Sequence, residues 1–588
     1  MSEIGGIYNF DNTPVDRAPV LEWDGRLDNR EDLLRELREG LNGDKTDAAL
    51  VVAAYQRWGD AFVSKLVGDF VLSLFCPTSN TLFLARDPFG TRTLYYSANP
   101  NQVVWSSTLR GILSSGRIDP QVDDEYVAGY LALHPELSRS PYKNIPAVEP
   151  GHLVVITPRS IERRRFWTPE TERDVRYTKD SEYEEQFLEL FRDAVRCRLQ
   201  TNQPVWAELS GGLDSSSIVC MADQILEQGE APAPRLETVS YVDRETGTSS
   251  DYEFIGVVEN KRGRRGHHFE RKANWVRFVS PEESFLARPG TQLCVAGSHE
   301  WLSNKITNDG ASVLLSGLGG DQVLCSVPYA SPFLADLLYR LKPVQLHREL
   351  QMWSQILKQP YAELLWKETI LPFMPEALKS RFESRLTVAP WLDQRFVRET
   401  RLRQRMLLPR DPFHFKLPSK QMQARRLMFV ISEIALGECW ETSAFNKTYP
   451  LLHRPLVEFL LAIPFEQKLR GLETRSLMRR ALKNVLPEKV LQRRGKGTAG
   501  ETFCRGLARE WSSLRPMLAD ARVYGFGFVD RTGFHLALDL ARHGYAEHIN
   551  TVLKIISLEI WLRSLEFWRS AFDTHPDRVP SQLLTVAA

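Results

Sequence analysis

The stretch Ser210-Gly211-Gly212-Leu213-Asp214-Ser215-Ser216-Ser217 decides how this chain folds. Ahead of it runs Val205-Trp206-Ala207-Glu208-Leu209, short and apolar enough for a buried strand. Behind it, Ser215 to Gln228 reads as a helix. Strand, glycine loop and helix in that order open an α/β unit. Two glycines let the backbone turn tightly and approach an anion. N–H groups at a helix start then favour phosphate. The hydroxyls of Ser210, Ser215 and Ser216 add donors. Asp214 adds a carboxylate, which belongs beside phosphates only with Mg²⁺ between them. The loop is not a Walker A loop, because GxxxxGK[ST] is absent.

Working outward, Leu236-Glu237-Thr238-Val239-Ser240-Tyr241 and Ser312-Val313-Leu314-Leu315-Ser316 read as further strands. The second runs into another glycine-rich turn, Ser316-Gly317-Leu318-Gly319-Gly320-Asp321. A long amphipathic helix, Ser181 to Leu199, precedes the set. The alternation predicts a parallel α/β sheet, with ligands at the carboxyl ends of its strands, where both turns lie. The first 170 residues are strand-rich instead. Phe70 to Phe75 and Thr81 to Ala85 flank the turn Pro77 to Asn80, and Leu94 to Tyr96 and Gln102 to Trp105 follow as a meander. Helices are expected over Arg30 to Glu39 and Asp47 to Trp58. A polar linker is expected over Trp167 to Arg176, and residues 330 to 588 read as mainly helical.

The whole chain of 588 residues is too long for one core, so at least two domains are expected. A net charge of +1 gives no field toward nucleic acid or membrane. The basic runs Arg163 to Arg165 and Lys261 to Arg265 are short and read as solvated surface. Seven scattered cysteines form no CxxC pair and no metal-ligand spacing. Together with Met1-Ser2-Glu3-Ile4, which is not a secretory signal, they point to a reduced, cytoplasmic protein with no membrane span.

The loop at Ser210 resembles the pyrophosphate loop, SGGxDS, of the N-type ATP pyrophosphatases. These cleave ATP to AMP and pyrophosphate while adenylating a substrate oxygen. The turn at Ser316 resembles the SGxGxDE turn of asparagine synthetases, with Gln322 in place of the glutamate. Arg475 to Arg480, Leu486-Pro487-Glu488 and Arg493-Arg494-Gly495-Lys496 resemble the run of that family that ends in its catalytic lysine. Asp24 to Arg30, Gly68-Asp69-Phe70 and Ala85 to Gly90 resemble the glutaminase domain that precedes those synthetases.

The resemblance implies an Ntn-type glutaminase-like β-sandwich with helices over residues 1–170. A parallel-sheet synthetase domain of the adenine nucleotide alpha-hydrolase kind, with a helical C-terminal part, is implied over 180–588. It implies ATP and Mg²⁺, with Asp214 and Asp321 as metal ligands. The triphosphate would lie on Ser210, Gly211, Gly212, Leu213, Asp214, Ser215 and Ser216, with Ser316, Gly317 and Gly319 opposite and adenine near Val239 and Ser240. Lys496 and Arg475 would be the cations that stabilise developing charge.

The departures point to the substrate. The glutaminase nucleophile of the family is a cysteine at position two; here Ser2 stands there, and no cysteine precedes Cys76. An alkoxide needs more activation than a thiolate, so an inactive glutaminase-like domain is expected. The amine must then come from a substrate. Leu318 replaces the glutamate of asparagine synthetases and the tyrosine of β-lactam synthetases in the second turn. In the run that resembles VEARxPFLD, Phe445 to His453, the acids have become Asn446 and His453. Tyr55 to Gly59, Leu456 to Leu461 and Ser476 to Arg480 resemble the lasso peptide macrolactam synthetases (cyclases). That likeness implies closure of a peptide's side-chain carboxylate with its own amine. The implied partners are a precursor core peptide, a leader peptidase and a leader-recognition protein. An ammonia-fed asparagine synthetase-like enzyme, a β-lactam-type ligase and a non-catalytic scaffold are the alternatives. Glu441, His453 and Glu458 lie where a general base is needed, but a structural role is the simpler expectation for each.

Overall fold

The computed structural model describes residues 3–10, 18–41, 43–133, 135–170, 173–242, 250–270, 276–280, 286–326, 331–374, 388–407, 413–437, 445–495, 500–545, 547–574 and 584–585. Near the N-terminus two sheets face each other. Gly68–Cys76 lies between Val20–Leu27 and Thr81–Arg86, and His152–Ile156 and Ile161–Arg165 complete that antiparallel sheet. The other sheet sets Gly5–Asn9 beside Gln102–Ser106, with Tyr95–Ala98 beyond and Leu584–Thr585 on the far side. Side chains alternate along a strand, and here both faces are covered. Val71, Phe75, Leu82 and Leu84 meet Tyr8, Tyr96 and Trp105 between the sheets. Phe70, Leu72 and Leu74 turn the other way, onto Leu50, Val51 and Phe62 of the flanking helices. Double coverage explains why the run Phe70 to Phe75 is almost continuously apolar.

The second domain is built on a five-stranded sheet in the order His267–Glu270, Leu236–Val242, Val205–Glu208, Val313–Leu315, Asn446–Thr448. Every neighbouring pair is parallel. The strands at Leu236, Val205 and Val313 match the expectation. Those at His267 and Asn446 were not anticipated, because His-His-Phe-Glu and Asn-Lys-Thr lack the apolar run that marked the strands at Val205 and Val313. Asn446–Thr448 matters most, since it adds a strand from deep within the helical region.

Two other expectations need correction. Arg262, in a run read as solvated, is buried: it bonds Asp223 at 2.6 Å and the Leu236 carbonyl at 2.9 Å, tying the Ser250–Arg262 helix to the sheet. Trp167, at the start of the expected linker, is also buried. Its ring packs on Phe89 and Phe413, and its N–H donates to Glu458 at 2.9 Å.

The domains share buried polar contacts. Arg86 donates to the carbonyls of Val148, Gly90 and, across the interface, Ala435 at 2.9 Å. The C-terminal helix Ile549–Thr574 returns to the first domain, where Trp561 meets Tyr142 edge-on at 5.8 Å. No helix among the described residues is long and apolar enough to cross a membrane. No disulfide joins the described cysteines, and Cys439 lies outside the described residues.

Candidate functional site

The Ser210 loop leaves the sheet at the carboxyl end of its central strand and enters the helix Leu213–Glu227. Gly211 has φ +69°, and a Cβ there would stand 2.8 Å from the Phe254 Cβ and 2.9 Å from the Asp251 carbonyl oxygen. Only glycine fits both demands. Gly212 occupies the cap position and gives no side chain to the first N–H groups of the helix. That end is therefore open to an anion. Ser210 and Ser215 pair their hydroxyls at 3.0 Å beside it.

The second turn presses against the first at glycine thickness. A Cβ on Gly317 would lie 3.0 Å from the Ser215 nitrogen, and one on Gly320 would lie 2.5 Å from the Asp214 carboxyl carbon. Gly319 has φ +99° against Leu452. This close approach brings Asp214 and Asp321 together. Arg475 lies between them: Nε and Nη2 each donate to Asp214 at 2.8 Å, and the same Nη2 also bonds Asp321. Burial alone would lower the Arg475 pKa, but Asp214 and Asp321 outweigh it and raise it, so the guanidinium is a fixed cation. One nitrogen reaches both carboxylates, so a single ion can span them. An all-oxygen donor pair suits Mg²⁺.

Ser210, Asp214, Asp321 and Arg475 line a cleft of about 610 Å³ at the ends of the strands, together with Gly212, Ser215, Gly317 and Gly319, whereas Gly211 does not line it. Its far wall is the segment leading to Lys496. Arg479 bonds the Leu491 carbonyl and, at 2.9 Å, the Arg493 carbonyl. Arg493 pairs with Asp251 and lies over the Phe254 ring at 4.4 Å. Arg494 and Gly495 line the cleft. Lys496 itself lies outside the described residues, as do Ser2 and Glu441.

Of the other expected site residues, Leu213, Val239 and Ser316 also line the cleft. Ser216 and Ser240 do not. Ser216 is 0 % exposed on the inner side of its helix, and the Ser240 hydroxyl donates to the Leu209 carbonyl at 2.7 Å, holding two strands together. His453 and Glu458 do not line it either. His453 is buried against Asp28 in the first domain, and Glu458 accepts from Trp167 and Arg454. Sequence reasoning missed Arg479, Arg493, Glu208 and Lys447. Glu208 carried a signal, as the one charged residue in an otherwise apolar strand.

Asp28, Cys197 and His453 offer ligand atoms close together at the domain interface. Their surroundings are wrong for a cation. Burial pushes the Cys197 thiol up to about 12, so it is no thiolate. Burial would raise Asp28, but Arg26, His453 and Arg198 hold it well below the usual range. Two guanidiniums already supply the positive charge.

A family model described as asparagine synthase matches residues 186–563, and one described as a glutamine amidotransferase domain matches residues 11–167. Asparagine synthetase [glutamine-hydrolyzing] 3 of Bacillus subtilis (strain 168) is 25 % identical over 500 residues, which are 80 % of this chain and 74 % of that protein. Asparagine synthetase [glutamine-hydrolyzing] 1 of the same organism is 24 % identical over 506 residues, 79 % of this chain and 73 % of that one. Amidase chry2 of Gibberella zeae is 29 % identical over 191 residues, 31 % of this chain and 27 % of its own.

Proposed function

We propose a reaction for this chain from a fixed starting point: it belongs to the asparagine synthase family and is an ATP-dependent carbon–nitrogen ligase. Our reading is that it joins a side-chain carboxylate of a peptide to an amine of the same peptide, as a lasso-type macrolactam synthetase does. The observation that carries the reading is the fate of the first domain. It retains its sandwich, and its Asp28, Asp69 and Arg86 are buried in bonds that brace the synthetase. Yet no cysteine occurs among residues 1 to 75, so that segment holds no thiol to release ammonia from glutamine. Leu318 stands where the asparagine pattern has glutamate and the β-lactam pattern has tyrosine.

In this reading the triphosphate lies on the uncapped start of Leu213–Glu227, with Arg475 beside it. Asp214 and Asp321 would hold Mg²⁺, which neutralises charge on the departing pyrophosphate. The peptide carboxylate attacks the α-phosphorus and pyrophosphate leaves. The peptide amine then attacks the acyl-adenylate and AMP leaves. Lys496 is the cation proposed for both transition states. Holding both ends of one peptide in the cleft supplies the proximity that ring closure needs. A core peptide, a leader peptidase and a leader-recognition protein are the partners this reaction requires, in the cytoplasm.

The ATP site is tested by Asp214→Ala. Pyrophosphate release should vanish while the circular dichroism spectrum is unchanged. Persistent release would remove Asp214 from the assignment.

A further inference from the structure

The positions at which related patterns place a base carry Leu318 and Asn446 here, but a different carboxylate faces the cleft. Glu208 ends the strand Val205–Glu208, two residues ahead of Ser210. Its Oε1 accepts from Lys447 Nζ at 2.8 Å and its Oε2 from Ser316 Oγ at 2.6 Å. Three adjacent strands supply these groups: Val205–Glu208 itself, Val313–Leu315 with Ser316 just beyond its end, and Asn446–Thr448. The remaining residues of the Glu208 strand are fully buried, whereas the side chains of Glu208 and Lys447 are 24 % and 33 % exposed and line the cleft. An ion pair at the edge of a buried sheet costs desolvation, and this one shares the cleft with Ser210 and Leu318, which marks it for function.

We propose that Glu208 is the proton acceptor for the attacking amine, with Lys447 and Ser316 as the residues that position it. The proposal rests on the ligase reading of the same cleft. Each carboxylate oxygen is held by one donor and keeps a lone pair for an amine N–H. The step asks little of its acceptor. A peptide α-amine titrates near 7.7–8.0 and so arrives partly neutral at physiological pH. Its nitrogen becomes strongly acidic once it has bonded to the acyl carbon. The nitrogen lone pair forms the C–N bond, and the N–H proton passes to Glu208. The C–O bond to the adenylate breaks with its electron pair on the phosphate oxygen. AMP departs, and Glu208 returns its proton to solvent.

The test separates the two half-reactions on the full-length enzyme, using whichever acyl substrate the unsubstituted enzyme activates, core peptide or aspartate. That choice keeps a wrong substrate apart from a wrong base. Glu208→Gln preserves the shape and should retain ATP–pyrophosphate exchange, while amide formation falls by about 10²-fold or more, the contribution of a positioned base. Glu208→Ala should fall as far and recover when formate is added, which a purely structural role would not allow. Amide formation unaffected in Glu208→Gln would overturn the proposal. So would exchange falling in step with amide formation, or formate failing to restore Glu208→Ala.

Discussion

Gly319 shows how much of this site depends on single residues. Its φ of +99° lies in the left-handed region, and a Cβ there would sit 2.6 Å from the Leu452 side chain. Gly319→Ala should therefore cost about 1–3 kcal/mol. It should also displace Asp321, so that ATP turnover falls more than stability does. Denaturant titration alongside pyrophosphate release checks this, and a variant that keeps both would show the turn to be unstrained. At this scale the sequence was informative. Glycines at 211, 317, 319 and 320 sit at close approaches of the backbone, while the pairing of Asp214 with Asp321 was implied by the family resemblance of the two turns. The side chains of Ser216 and Ser240 lie off the cleft, because residue type does not say which side of a helix or strand faces it.

At the scale of elements, the short strand Asn446–Thr448 joins the domains to the cleft. Lys447 faces the cleft, while Thr448 turns the other way and donates to Asp69 of the first domain at 2.6 Å. Arg198 completes the link, bonding Thr448 at 2.8 Å and Asp69 at 3.2 Å. Burial would raise the Asp69 pKa, but Arg26 and Arg198 outweigh it and bring it down to about 2, from 3.8. A lowered carboxylate pKa contributes stability that is present above the unfolded value. That stability is lost as pH falls from about 4 through about 2. Asp69→Asn removes one of the two carboxylates, Asp28 being the other, that pair with buried Arg198 and half-buried Arg26, and should cost about 1–3 kcal/mol. The acid limb expected of the native chain in urea titrations between those pH values should also shrink in this variant. None of this was legible in the sequence. The strand has no apolar run to mark it, and the pairing of Asp69 with Thr448 spans most of the chain.

For the molecule as a whole, the first domain serves as a brace. Its motif Arg86 to Gly90 was recognised from the sequence as glutaminase-like. The structure gives it a second use, since the Arg86 guanidinium holds the Ala435 carbonyl at the end of helix Pro418–Ala435. Trp167 and the C-terminal helix add apolar contact between the same halves. Arg86→Met leaves those carbonyls without their donor, so the single thermal transition expected of the native chain should fall in temperature and split in two. A variant that melts as the native chain does would show that Arg86 matters within its own domain only. The parallel sheet was readable from alternation and from the two glycine turns, and the sandwich was implied by the resemblance of Asp24 to Arg30, Gly68 to Phe70 and Ala85 to Gly90. The way the helical region closes back over both was not, because amphipathic helices announce a buried face without naming what buries it.

The most direct test is product mass. Purified full-length protein with Mg-ATP, a core peptide encoded beside its gene and the peptide's processing partners should release AMP in step with a product lighter by one water. Aspartate with ammonium should be left unchanged in the same assay. AMP accompanied by asparagine, with the peptide untouched, would contradict the account and make this an ammonia-dependent synthetase.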